Sequence, residues 1–273
     1  MSTIENLKFM SQTIRKDIIS MLTASASGHP GGSLSSADII TTLYFHEMNI
    51  NPNNPKDSNR DRFVLSKGHA APVLYSALAR RGFYSVDELV TLRKFGSNLQ
   101  GHPNMHDVPG VDMSTGSLGQ GISAAVGMAL AGKIDNKSYR IYAVLGDGEL
   151  EEGQVWEAAM AAAHYRLDNL TIFIDFNGLQ IDGDIKEVMN PCPIDKKFEA
   201  FGWNVEVIDG HDYEEIINAL EKARKTKGTP TCIVCNTIKG KGVSFMENQS
   251  AWHGAVPNKE QCEKAIKEIG GRL

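Results

Sequence analysis

Over residues 139–236 short runs of apolar, β-branched residues alternate with amphipathic stretches of helical length, and this alternation limits the chain to few folds. Periodicity predicts strands over 139–145, 169–176, 203–208 and 231–236, with helices over 153–165 and 213–225 between them. Consecutive strands joined through helices pair in parallel by right-handed crossovers, and a parallel sheet must be covered on both faces. The expected fold is therefore a three-layer α/β structure, a mostly parallel sheet with helices on both sides. Upstream, apolar residues at helical spacing (Ile4, Leu7, Met10, Ile14, Ile18, Met21, Leu22) predict a helix ending before the glycine-rich segment 27–32. A second helix is expected from Ser35, as its cap, through Tyr44. A polar Pro/Asn stretch (49–60), a strand (62–66), helices over 69–81 and 85–94, a Gly/Pro/His-rich loop (95–115), a helix of small residues (120–132) and a closing helix (258–269) complete the pattern. A length of 273 residues is within reach of one large α/β domain, and residues 1–273 are read as a single domain.

Composition removes whole classes of function. A net charge of −5 gives no general attraction to phosphate polymers or anionic lipids, so neither nucleic acid nor membrane is an expected partner. No run approaches the roughly 18 apolar residues of a spanning helix, and the N-terminus lacks a basic region followed by an apolar one, so the expected address is the cytoplasm. Of the four cysteines only Cys232 and Cys235 have a spacing that could signal redox or metal chemistry. They fall in a predicted strand, where positions i and i+3 face opposite sides, so they read as two packed thiols.

In an open parallel sheet ligands sit beyond the carboxyl ends of the strands. Those positions hold Ser66-Lys67-Gly68-His69, Gly146-Asp147-Gly148-Glu149, Asp175-Phe176-Asn177-Gly178, Asp209-Gly210-His211 and Asn236-Thr237-Ile238-Lys239-Gly240. Asp147 leaves a buried strand between two glycines, shortly before a predicted helix N-terminus that favours phosphate. Asn177 ends the next strand after one helix, so the two side chains meet if those strands are neighbours. A carboxylate, an amide oxygen, a nearby main-chain carbonyl and diphosphate oxygens would supply much of an octahedral Mg²⁺ shell.

Gly146-Asp147-Gly148 through Asn177 resembles the thiamin-diphosphate motif, and the surrounding segments resemble the transketolase family. They are Ser27-Gly28-His29-Pro30-Gly31-Gly32-Ser33-Leu34-Ser35, Ser66-Lys67-Gly68-His69-Ala70, Gly101-His102-Pro103, Ser114-Thr115-Gly116-Ser117-Leu118-Gly119-Gln120-Gly121, the acidic run from Gly146 to Gly153, and Trp252-His253-Gly254, in the family's order. The resemblance implies the family's thiamin-diphosphate-binding fold, with thiamin diphosphate and Mg²⁺ (Ca²⁺ or Mn²⁺ as substitutes) as cofactors. It implies Asp147, Asn177 and the carbonyl of Leu179 as metal ligands, with Gly148 and His69 near the diphosphate. It further implies that Gly116, Ser117 and Leu118 line the thiamin pocket, with Glu152 and His253 also on the cofactor side. His29, His102 and His253 would surround the reacting carbons of the substrate, binding hydroxyls and moving protons, work that suits a group with an ordinary pKa of about 6.5. Ser117 stands where the family pattern has Pro, and of the acidic run only Glu152 carries over.

The resemblance covers nearly the whole chain but less than half of a one-chain transketolase. The pyrimidine-binding and C-terminal domains, which carry the glutamate that activates the cofactor, are expected on a separate chain in a heterotetramer. The implied activity is transfer of a two-carbon ketol unit from a ketose to an aldose, the expected substrates being sugar phosphates as in pentose-phosphate metabolism. The alternatives are an α-type subunit of a 2-oxoacid dehydrogenase, a deoxyxylulose-phosphate-synthase relative, and a catalytically silent regulatory subunit. Ser66-Lys67-Gly68-His69 and Trp252-His253-Gly254 favour transketolase over the first two. Other motifs fail on context: Gly119-Gln120-Gly121 through Ala124 lacks the preceding strand of a dinucleotide fingerprint, and Pro103 disrupts the helix that would align His102 and His106 on zinc. His46, His164 and His211 lie outside glycine-rich context and read as structural or solvated.

Overall fold

A computed structural model of the chain describes residues 2–270. Helix α1 (Thr3–Ser25) opens with a capping box, the Ser2 hydroxyl accepting from the Glu5 N–H while the Glu5 carboxylate accepts from Ser2 N–H. The chain then enters α2 (Pro30–Ser35) and α3 (Ala37–Thr42), which continues into a π-helical turn at Leu43–Glu47. The helix expected from Ser35 is α3, which begins at Ala37, and a separate short helix, α2, opening on Pro30, precedes it. Proline at the first helical position has no N–H to leave unsatisfied, and its fixed φ suits the helix. Ser35 is no cap: its hydroxyl donates to the Gly32 carbonyl and to the Asp175 carboxylate.

Five parallel strands follow the predicted runs: β1 (Arg62–Leu65), β2 (Ile141–Gly146), β3 (Leu170–Phe176), β6 (Asn204–Asp209) and β7 (Thr231–Asn236). Their order is β1-β2-β3-β7-β6, so the chain steps outward from β1 to β3, jumps to the far edge, and returns to fill the gap with β7. A short antiparallel hairpin, β4 (Leu179–Gln180) with β5 (Gly183–Asp184), follows β3. The remaining helices are α4 (Ala71–Arg81), α5 (Gln120–Ile134), α6 (Gly153–His164), α7 (Ile185–Met189), α8 (Ile194–Ala200), α9 (Tyr213–Lys225) and α10 (Lys259–Gly270).

Two apolar cores flank the sheet. One gathers α1, α3, α4 and α9 around Phe63, Tyr142, Phe173 and Ile233; the other gathers α5, α6 and α8 around Val64, Ala143, Ile172 and Val234. The two cysteines of β7 divide between them, Cys232 in the second core and Cys235 in the first, both fully buried as free thiols. One expectation needs correction: the helix over 85–94 is a short 3₁₀ segment at Val86–Thr91. The segment 178–200, to which periodicity assigned no element, holds the hairpin and two short helices. These elements are too short to show a period.

Candidate active site

The paired register of β2 and β3 places Gly146 beside Asp175, so the segments leaving the two strands run side by side. Asp147, 3% exposed, accepts hydrogen bonds from its neighbour Gly148 N–H (2.9 Å) and, across the strand ends, from Gly178 N–H (2.6 Å). The second bond ties Asp147 to the turn carrying Asn177 and Leu179. Asn177 is oriented from below, its amide N–H₂ donating to Asp175 (3.2 Å) while its oxygen accepts from Leu179 N–H (3.2 Å). Asp147, Asn177 and Leu179, the predicted metal ligands, therefore belong to one tied loop pair.

Charge is unevenly balanced here. Among the described residues Asp147 forms no salt bridge, and burial, followed by the nearby Asp175 carboxylate, pushes its pKa up to about 7. A carboxylate, an amide oxygen and a carbonyl form an all-oxygen donor set suited to a hard divalent cation, and the buried acid lacks the countercharge such an ion supplies. The residues fit the group.

Three histidines converge on the same edge. His29, at the start of α2, His69, in a 3₁₀ turn after β1, and His253, in a 3₁₀ turn (Ser250–His253) before α10, form a triangle with ring centroids 5.1–5.4 Å apart. Burial, then the positive charge and rings around them, lowers His29 to about 4 and His253 to about 3, and lowers His69 as well. All three are neutral near pH 7, each with one ring nitrogen able to accept a hydrogen bond, which at His253 is the Nδ1 that meets Lys239. The His29 Nδ1 is shielded from solvent and has no hydrogen-bond partner among the described residues. His102 is exposed, and its ring lies against Gly116, where a Cβ would come within 3.1 Å of it. Gly116, with φ at +155°, thus needs to be glycine on both grounds. Ser117 is exposed and Leu118 half-buried beside it; Gly148 sits under Gln180.

Two contributors were not assigned roles from sequence. Lys239, 2% exposed beyond β7, donates to the Leu179 carbonyl (2.9 Å) and contacts His253 Nδ1 (2.9 Å), joining the oxygen cluster to the histidines. Burial lowers its pKa to about 8. The strand-end rule marked its segment, but a lone lysine there carries no further signal. Glu149, buried at 2%, accepts from Ser66 hydroxyl, Gly119 N–H (2.9 Å) and Gly146 N–H (3.1 Å), fastening the loop at 116–119 to β2. Glu152, by contrast, is exposed, its stem packed over Gly119.

The family described as "Transketolase, thiamine diphosphate binding domain" matches residues 7–272. The chain belongs to the transketolase family. It is 47% identical to the 6-deoxy-6-sulfo-D-fructose transketolase subunit SqwG of Clostridium sp. (strain MSTE9), covering 97% of this chain and 96% of that subunit. It is 43% identical to one subunit of the apulose-4-phosphate transketolase of Phocaeicola vulgatus, covering 99% and 96% respectively. The crystal structure of the Campylobacter jejuni transketolase superposes with a TM-score of 0.93 at 38% identity over 98% of this chain. The chain spans only 43% of that transketolase's length.

Proposed function

We propose that this chain is the diphosphate-binding subunit of a split, Mg²⁺-dependent transketolase, which transfers a two-carbon ketol unit from a ketose to an aldose in concert with a second chain. The observation that carries the reading is the junction at Lys239, where the Asp147–Asn177–Leu179 oxygens meet the His29–His69–His253 triangle. Thiamin diphosphate supplies the electron sink for carbon–carbon bond cleavage and formation. In this reading Asp147, Asn177 and the Leu179 carbonyl hold Mg²⁺, Lys239 and His69 face the diphosphate, and the 116–118 backbone lines the thiamin pocket. His29, His102 and His253 would bind substrate hydroxyls and move protons there; their lowered affinity for protons favours the neutral ring, which can accept a hydrogen bond from a hydroxyl. Glu152 faces outward and contributes from the side where a second chain would meet this one.

The division of labour between chains has several supports. Residues 1–273 are proposed as one domain, a length matching relatives that are themselves named as subunits. Helix α5 is rich in small and apolar residues, yet its outer side exposes Gly127, Ala131 and Ile134, the last at 69%. A helix apolar on every side belongs in an interior, here that of a heterotetramer. Among the described residues no helix is long and apolar enough to cross a membrane, and we place the complex in the cytoplasm. Both of these relatives are named for sugars with an anionic substituent, a sulfo or a phosphate group. Substrates of that class are expected here.

The deciding experiment mixes the purified chain with a chain carrying the pyrimidine-binding and C-terminal domains, then follows ketol transfer with thiamin diphosphate and Mg²⁺. Negligible transfer from either chain alone and turnover from the mixture are expected. Robust transfer by the isolated chain would overturn the split assignment, and an inert mixture that still binds cofactor would favour a regulatory subunit.

A further inference from the structure

His211 follows β6 at a strand end, and sequence context read it as structural or solvated. The structure makes it a bridge between two elements. Its Nε2 accepts from the Ile238 N–H (2.9 Å), the residue immediately before Lys239. A ring nitrogen that accepts carries no proton, so Nδ1 bears the hydrogen and donates to Asp38 Oδ2 (2.8 Å). Asp38, 4% exposed in α3, does not depend on that bond for charge balance: Arg15 from α1 engages both its oxygens (2.8 and 2.6 Å), and the Tyr213 hydroxyl donates to it (2.6 Å). The histidine is thus held on one side by an anion that is already neutralised. On the other it grips a single backbone amide.

That amide belongs to the segment that aims Lys239. Thr237 N–H is held by the Phe176 carbonyl (3.0 Å), and Gly240 N–H by the Gly31 carbonyl (3.1 Å) of the α2 turn. His211 supplies the anchor between these two. Clearance here is small: a Cβ on Gly31 would come within 2.9 Å of the Lys239 stem, so the lysine side chain runs close along the Gly31 backbone. From this geometry we propose that His211, oriented by Asp38, is a positioning residue that fixes the 238–240 backbone and thereby sets the Lys239 ammonium between the Leu179 carbonyl and His253. The inference rests on the proposed cofactor site and adds to it a support reaching back to α1 and α3.

The test uses His211→Leu, which fills the space without either hydrogen bond, and His211→Gln, whose amide can donate to Asp38 and accept from Ile238. Tyr213→Phe removes a different bond to the same carboxylate and leaves Ile238 untouched. Amide hydrogen exchange on each purified chain, and calorimetric titration of thiamin diphosphate with Mg²⁺ into each chain assembled with its partner, are compared with melting temperatures. His211→Leu should speed exchange at 237–240 and weaken thiamin diphosphate binding about tenfold, equivalent to ~1.4 kcal/mol. His211→Gln should restore both, and Tyr213→Phe should lower the melting temperature with exchange at 237–240 and affinity unchanged. The proposal is overturned if exchange at 237–240 is the same in His211→Leu as in wild type, or if affinity merely follows melting temperature across all three variants. Should the wild-type assembly not bind thiamin diphosphate, the proposed function fails while hydrogen exchange still decides the role of His211.

Discussion

Asp147 and Asp175 leave neighbouring strands of one sheet, both almost wholly buried, and their surroundings differ in one respect. Asp175 receives the Lys67 ammonium, the Ser35 and Thr237 hydroxyls and the Asn177 amide. Burial alone would raise its pKa, but Lys67 and these donors bring it below the ordinary carboxylate value. Asp147 has two backbone N–H groups and no salt bridge among the described residues, and it is pushed up to about 7. A buried carboxylate costs several kcal/mol unless a cation and hydrogen bonds offset its desolvation. The chain completes that offset at Asp175, which serves as scaffold. At Asp147 no side chain among the described residues completes it, which is the imbalance the proposed Mg²⁺ would relieve.

The contrast can be broken by substitution. Lys67→Met strands the Asp175 carboxylate and should cost about 3–5 kcal/mol of unfolding free energy in urea titrations. Asp147→Asn should act with the opposite sign in the cofactor-free chain, raising stability at pH 8 by more than about 1 kcal/mol because a disfavoured buried charge is removed. The same variant should lose the rise in melting temperature that thiamin diphosphate and Mg²⁺ give the wild-type assembly. Equal signs for the two substitutions would dissolve the distinction.

The pH dependence sharpens it further. Folded Asp147 keeps its proton up to about pH 7, whereas the unfolded chain releases it near 3.8, so its contribution to stability falls as pH rises between those values. His29 and His253 act the other way. Unfolded, they take up protons below about 6.5; folded, only near 4 and 3, so stability is lost as pH falls below 6.5. Each group contributes a slope of at most about 1.4 kcal/mol per pH unit. Thermal melts of the cofactor-free chain should show these contributions opposing each other, and in Asp147→Asn stability should fall more steeply on acidification below about pH 6.5.

Much of this was legible in the residues. The strand–helix alternation from 139 to 236 needs only local periodicity, and it led to the parallel sheet, the two-sided core and the opposite burial of Cys232 and Cys235. The glycine-rich loops named His29, His69, His102 and His253, and the structure brings three of them into one triangle with the fourth against Gly116. Lys239, Glu149 and His211 were less accessible. Each lies at a strand end that the sequence marks, but its importance comes from a partner distant in sequence: Leu179, Ser66 and Asp38 respectively. The short elements between 178 and 200 escaped for another reason, since a run of two to seven residues has no period to detect.

The sequence by itself determined the layer architecture, the strand ends at which chemistry gathers and the family to which the chain belongs, because each is written in local spacing and contiguous motifs. Tertiary structure alone decided which buried charges are balanced. Whether Asp147 stands unpaired while Asp175 meets Lys67, and whether His211 faces water or a backbone amide, depends on strand register and on loops from four strand ends converging. Desolvation and Coulomb energy are set by distances in space, and local spacing in a sequence does not encode them.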